Sequence, residues 1–162
     1  MNYKRLGGLL IFLCLISFPV SASMVSFLMV ETGLREEAPS TQYGSVWEGG
    51  LMDAFFNAGH IVTNSPMARM DYKPEGLTRE LEADLDDAIL GGAEFFVLGF
   101  LDYGADGGRT LPNTMILYVY STGTRDLIYQ AEFIAGSGRS LDEEYRIAQS
   151  AGQIIINYIR NR

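Results

Sequence analysis

Two stretches of this chain, MVSFLMVE at 24–31 and AEFFVLGFLDY at 93–103, are apolar at nearly every position yet too short for a typical helix. A strand with one wet face alternates apolar and polar side chains, whereas a run without that alternation is covered on both faces. The two stretches therefore predict interior strands of a sheet with other elements packed against it. The Gly-rich, acid-dotted segment GADGGRTLPN follows the second run and reads as the turn region of a long hairpin.

The covering elements show in the period of the remaining apolar residues. Val46, Trp47, Leu51, Phe55 and Ala58 recur at spacings of about three to four and predict a helix with Ser45 as its cap. Gly49 and Gly50 each cost that helix about 1 kcal/mol relative to Ala, and their missing side chains suit close approach to the sheet. Gly59 ends the helix, and HIVTN (60–64) predicts a short strand. SPMARMDYKPEG carries two prolines and is expected to hold nothing longer than a turn. Thr78 is the expected cap of a second helix reaching about Leu90, with Leu81, Leu85, Ala88 and Ile89 inward and Glu80, Glu82, Asp84, Asp86 and Asp87 in water.

TMILYVYS and DLIYQAEFIA, separated by TGTR, predict two further strands. In the second, Gln130 and Glu132 lie opposite Tyr129, Ala131 and Phe133, so one face is wetter. Ser140 with Glu143 forms a capping-box signature that opens a last helix through Ile159. The order β-α-β-α-β-β-β-α predicts an α/β (α+β) sandwich: a single mixed sheet of about five strands with helices packed against it. No repeat or Gly/Ser/Pro-rich linker divides the chain, so residues 23–162 are expected to form a single domain.

Residues 1–22 have a different logic. Lys4 and Arg5 precede an apolar run from Leu9 to Val20, and Val20 and Ala22 stand where a signal peptidase reads small residues. The run is shorter than the roughly 20 residues that span a bilayer, so a cleaved secretory signal is expected, and with it a periplasmic protein. Cys14, the one cysteine, lies inside that run, which argues against lipid attachment and leaves the exported chain without a thiol or a disulfide. Loss of Lys4 and Arg5 takes the formal charge from −8 to −10. Such a balance disfavours nucleic acid and anionic lipid surfaces as partners.

Few residues offer chemistry. His60, the one histidine, follows a helix-ending glycine and reads as a packing residue rather than a general base. One histidine does not make a zinc site, and no Gly-x-Ser-x-Gly elbow is present. GSGRS (136–140) could hold an anion on its backbone N–H groups but lacks the lysine of a phosphate-binding loop. Asp102 and Asp106 lack the alternating oxygen ligands of a calcium loop. Glu80, Asp84 and Asp87, like Glu82 and Asp86, form a charged helix face, for which solvation is the ordinary role. Trp47 belongs to the core, and Tyr118, Tyr120, Tyr129 and Phe133 supply amphipathic contact area. No catalytic, cofactor-binding or metal-binding residue is assigned, and no cofactor is expected.

Gly92, Ala93, Phe96, Val97 and Gly99, followed by Tyr118, Thr122, Gly123 and Leu127, carry a strand-and-turn pattern. It resembles that of small α/β domains of bacterial envelope proteins: the amino-terminal domain of TolB, the periplasmic domain of CsgG and the outer-membrane lipoprotein activators of penicillin-binding proteins. The resemblance implies a non-catalytic periplasmic domain that binds an envelope protein partner or assists assembly, and it admits a homo-oligomer. The alternative is a small-molecule or peptide-binding module with a cleft near GSGRS or the loop from Gly33 to Gly44. An enzyme centred on His60 and nearby carboxylates is a third reading.

Overall fold

The computed structural model describes residues 22–34, 42–104 and 110–162. The leader expected over 1–22 lies outside them except for Ala22, as do residues 35–41 of the first loop and residues 105–109, which include Asp106.

Six strands form one mixed sheet: β1 (Met24–Thr32), β2 (Ile61–Asn64), β3 (Ala68–Met70), β4 (Phe95–Asp102), β5 (Thr114–Ser121) and β6 (Leu127–Ile134). The spatial order is β2-β1-β4-β5-β6, and β3 also pairs with β1. β2 runs parallel to Met24–Phe27 and β3 parallel to Val30–Thr32, so two short strands share one side of β1. β1 and β4 are parallel from Val25↔Phe95 to Thr32↔Asp102. β4 to β5 and β5 to β6 are antiparallel.

Strand alternation sorts the apolar runs onto two faces. Phe27, Met29, Val97 and Leu117 pack with Trp47, Leu51, Phe55 and Ile155 from helices α1 (Gln42–Asn57) and α3 (Leu141–Arg160). Leu28, Val30, Phe96, Leu98 and Phe100 face the other way, onto Leu81, Leu85 and Ala88 around helix α2 (Glu82–Leu90). The doubly covered strands are thus a physical consequence of two- and one-helix layers on opposite sides of one sheet. Each fully buried Phe or Leu contributes about 2 kcal/mol.

Four expectations need correction. The segment expected to hold only a turn contains β3, a three-residue strand stabilised by pairing with the end of β1 and so invisible to local pattern. Helix α1 includes Gln42, so Ser45 is inside it rather than its cap; the earlier residues are held by packing, with Gly44 buried against Met67 and Glu31. Thr78 does not cap α2: its carbonyl accepts from Leu81 N in a preceding turn, and the helix begins after Leu81 with no side-chain cap. Burial of Leu81 replaces the cap. Lastly, Gly49 and Gly50 face α3, not the sheet. A Cβ on Gly50 would lie 2.7 Å from Ala148 Cβ, and one on Gly152 would lie 2.7 Å from Ala54 Cβ. Each helix thus offers a glycine to the other's alanine.

Candidate functional site

The carboxyl ends of β1, β3 and β4, the amino-terminal end of β5 and the carboxyl end of β6 lie at one end of the sheet, by their pairing. Crevices in sheets with parallel strands open at such strand ends. A cleft of about 480 Å³ lies there, lined in part by Glu31, Arg69, Asp71, Tyr72 and Glu80. Glu31 is almost fully buried at the end of β1, where it accepts from Tyr103 Oη at 3.2 Å and from Arg69 Nε at 3.3 Å. A buried carboxylate requires such partners, because desolvation costs several kcal/mol per ion. Beside it, Asp102 accepts from Thr32 Oγ1 and from Gly104 N, and pairs with Lys73 at 3.3 Å. Gly33 and Gly104 allow this crowding: a Cβ on Gly33 would sit 2.3 Å from Gly104 O.

The expected anion loop at 136–140 is real in geometry but is filled from within. Gly136 N and Gly138 N donate to the Glu144 carboxylate at 2.7 and 2.9 Å, and Trp47 Nε1 donates to it at 2.8 Å. Glu144 and Trp47 are both fully buried. The carboxylate of α3 therefore ties the loop after β6 to α1. Ser140 Oγ accepts from Glu143 N, as the capping signature requires, while Glu143 accepts from Arg139 N. The sequence reading missed Glu144 because a glutamate in a helix's first turn normally serves the helix dipole in water. The spacing from two nearby glycines was its only local signal.

His60 lies at the opposite end, between α1 and β2. Its ring is 5.5 Å from that of Phe55, and Nδ1 is 2.6 Å from Ser23 Oγ. Burial, aided by the Arg160 charge, holds its pKa below the ordinary value of 6.5. It does not meet Glu31, Asp102 or Glu144, so the structure assembles no histidine–carboxylate pair at the crevice among the described residues. On α2, Asp86 pairs with Arg125, and Glu82 and Asp87 are exposed while Asp84 is half-buried; Glu80, expected on the same helix, is exposed in the turn that precedes it. The described residues contain no cluster of three or more His, Cys, Asp or Glu able to hold a metal.

The remaining feature is a sheet edge. β6 ends the strand order and has no neighbour beyond it among the described residues. Its Tyr129, Ala131 and Phe133 are half-buried, whereas Gln130 and Glu132 are exposed, as the alternation predicted. Leu127 is 47% exposed and Ile134 72%. On the other face Tyr158 of α3 lies over Tyr129, with ring centres 4.7 Å apart, and remains 40% exposed; Ile154, one turn before it, is 49% exposed. Apolar side chains thus line both faces of the edge. Tyr118 and Tyr120, on β5, line a groove of about 440 Å³ with Gly76, Leu127 and Gln130. Burial raises the pKa of both phenols, and the Glu75 and Glu132 charges raise that of Tyr118 further. Both stay neutral hydrogen-bonding groups, and Tyr120 Oη accepts from Leu77 N at 2.9 Å.

No protein-family pattern matches the chain, and no curated protein does. Solved structures do. The PelC dodecamer from Paraburkholderia phytofirmans is 13% identical with a TM-score of 0.49, over 83% of this chain and 85% of that one. TolB from Acinetobacter baumannii is 11% identical with a TM-score of 0.44, over 86% of this chain and 27% of that one. The LpoB C-terminal domain from Escherichia coli is 15% identical with a TM-score of 0.43, over 80% of this chain and 93% of that one. TolB and LpoB belong to the group of envelope domains that the strand-and-turn pattern resembles.

Proposed function

We propose that this chain is a non-catalytic, periplasmic protein-binding or assembly domain acting in a cell-envelope process, and that it engages its partner through the β6 edge. The observation that carries this reading is the edge itself. Eight residues of strand with no proline or lysine offer unpaired backbone groups, and Leu127, Ile134, Ile154 and Tyr158 add exposed apolar surface beside them. Free edges of this kind are docking templates for another strand. The non-catalytic part is supported by the use of the buried carboxylates: Glu144 is engaged by three N–H donors, and Glu31 by a phenol and a guanidinium. Export is supported by the layout of residues 1–22, and no helix of the described residues is long and apolar enough to cross a membrane.

The test is photo-crosslinking in growing cells, with a photoreactive residue replacing Leu127 or, separately, Ile134. A reproducible adduct with a cell-envelope protein, or with a second copy of this chain, is the expected result. Absence of any adduct from both positions, with the protein present at normal level, would refute the edge as a docking surface.

A further inference from the structure

The edge of β6 has a self-complementary arrangement that identifies one partner for it. Ala135 N donates to Asn113 O at 3.0 Å, and Thr114 lies opposite Ile134. Backbone groups alternate along an antiparallel pair, so the N–H groups of Phe133, Ala131 and Tyr129 point to β5 and those of Ile134, Glu132 and Gln130 point to the open edge. Any strand added there must bond to Gln130, Glu132 and Ile134.

We propose that a second copy of this chain pairs there, β6 against β6 in antiparallel register about a two-fold axis beside Ala131. This inference rests on the reading of the edge as a docking surface and names its occupant. In this register Gln130 lies opposite Glu132 of the second copy, twice by symmetry. Each exposed carboxylate then faces an amide donor on the same sheet face. Tyr129 lies opposite Phe133 of the second copy on the α3 face. Ala131 meets Ala131 at the axis, in a non-hydrogen-bonded pair, where opposing Cα atoms are only about 4.5 Å apart and a small side chain fits best. A register centred on Glu132 would set two carboxylates face to face, and one centred on Gln130 would set Glu132 against Ile128. The Ala131 register alone among the three gives Glu132 a donor.

The helix layer agrees with the strand layer. Gly50 and Gly152 place α1 on one flank of α3, while Tyr158, over Tyr129, marks the flank toward β6. Ile154 and Tyr158, both partly exposed, share that second flank by helical spacing. Pairing two β6 strands brings these flanks of two α3 helices toward each other, so the apolar margin of the edge is covered along with its backbone. The product is a twelve-stranded sheet with an isologous interface, the commonest form of homodimer.

Sedimentation equilibrium of the exported protein, purified from cells, tests the proposal. A dimer is expected, and Gln130→Glu (Q130E) should weaken it about tenfold by opposing two pairs of carboxylates. The double variant Q130E/E132Q restores an amide opposite each carboxylate and should return the affinity to within about threefold of the original. Both positions are exposed, so folding of each copy is expected to persist, checked by circular dichroism. A monomer at about 100 μM, a dimer indifferent to Q130E, or a loss that the double variant fails to restore would each overturn it. A monomer in solution that still crosslinks in cells to a different protein at Leu127 would remove the second copy while leaving the docking edge intact.

Discussion

Glu144 is the residue whose removal should be felt most widely. Glu144→Ala strands Trp47 Nε1, Gly136 N and Gly138 N without their acceptor, and a loss of about 3–5 kcal/mol is expected. Trp47→Phe keeps most of the packing and removes one donor, so about 1–2 kcal/mol is expected. Urea unfolding of both variants checks the order, and a milder effect for the alanine would show that the carboxylate is not the anchor. His60 sets a pH dependence. Its folded-state pKa lies below 6.5, so the unfolded chain binds a proton first as the pH falls. The stability that neutral His60 preserves is therefore complete above pH 6.5 and declines as the pH drops through the lowered value. Because carboxylates ordinarily titrate near pH 4, the unfolding midpoint between about pH 7.5 and 5.5 should fall in the natural protein and stay flat in His60→Gln. An equally steep fall in the variant would assign the effect to another group. The role of Trp47 was legible from its place on an apolar stripe; the engagement of Glu144 was not, because its donors are close in sequence at Gly136 and Gly138 but distant at Trp47.

At the scale of elements, the contact of α1 with α3 makes opposite predictions for two adjacent glycines. Gly50→Ala puts a Cβ 2.7 Å from both Ala148 Cβ and Tyr145 O, so overpacking of about 1–3 kcal/mol outweighs the gain of about 1 kcal/mol in helix propensity. Gly49→Ala has its nearest contact at 3.6 Å, from the Tyr145 ring, and should stabilise by up to about 1 kcal/mol. Thermal unfolding of the two variants distinguishes them, and equal shifts would contradict the close helix contact. The helical period foresaw that Trp47, Leu51 and Phe55 face inward, and the capping pair Ser140 and Glu143 marked the start of α3. Residues 68–70 were unreadable as a strand, since three residues hold no period and β3 exists through its bonds to β1. The turn at Thr78 defeated the capping rule for a related reason: burial of Leu81 fixes where α2 begins.

For the whole molecule, charge and shape pull in opposite directions. A formal charge of −8 makes two copies repel while the apolar margin of β6 draws them together. Raising the salt from about 50 to 300 mM shortens the screening length from over 10 Å to under 8 Å. Dimer affinity should therefore rise with salt, and sedimentation across that range checks it; weakening would indicate that attraction between opposite charges dominates the interface. The sequence by itself determined the mixed sheet, its doubly buried strands β1 and β4, and the wetter face of β6. Each of these rests on a local period of two or on a run with no polar break, and local patterns survive without knowledge of neighbours. Tertiary structure alone decided that β2 and β3 share one side of β1, that the glycine loop at 136–138 closes on Glu144, and that β6 is an outer strand. These depend on which segments distant in the chain meet, and the free energy of such meetings resides in burial and hydrogen bonds that no single segment contains.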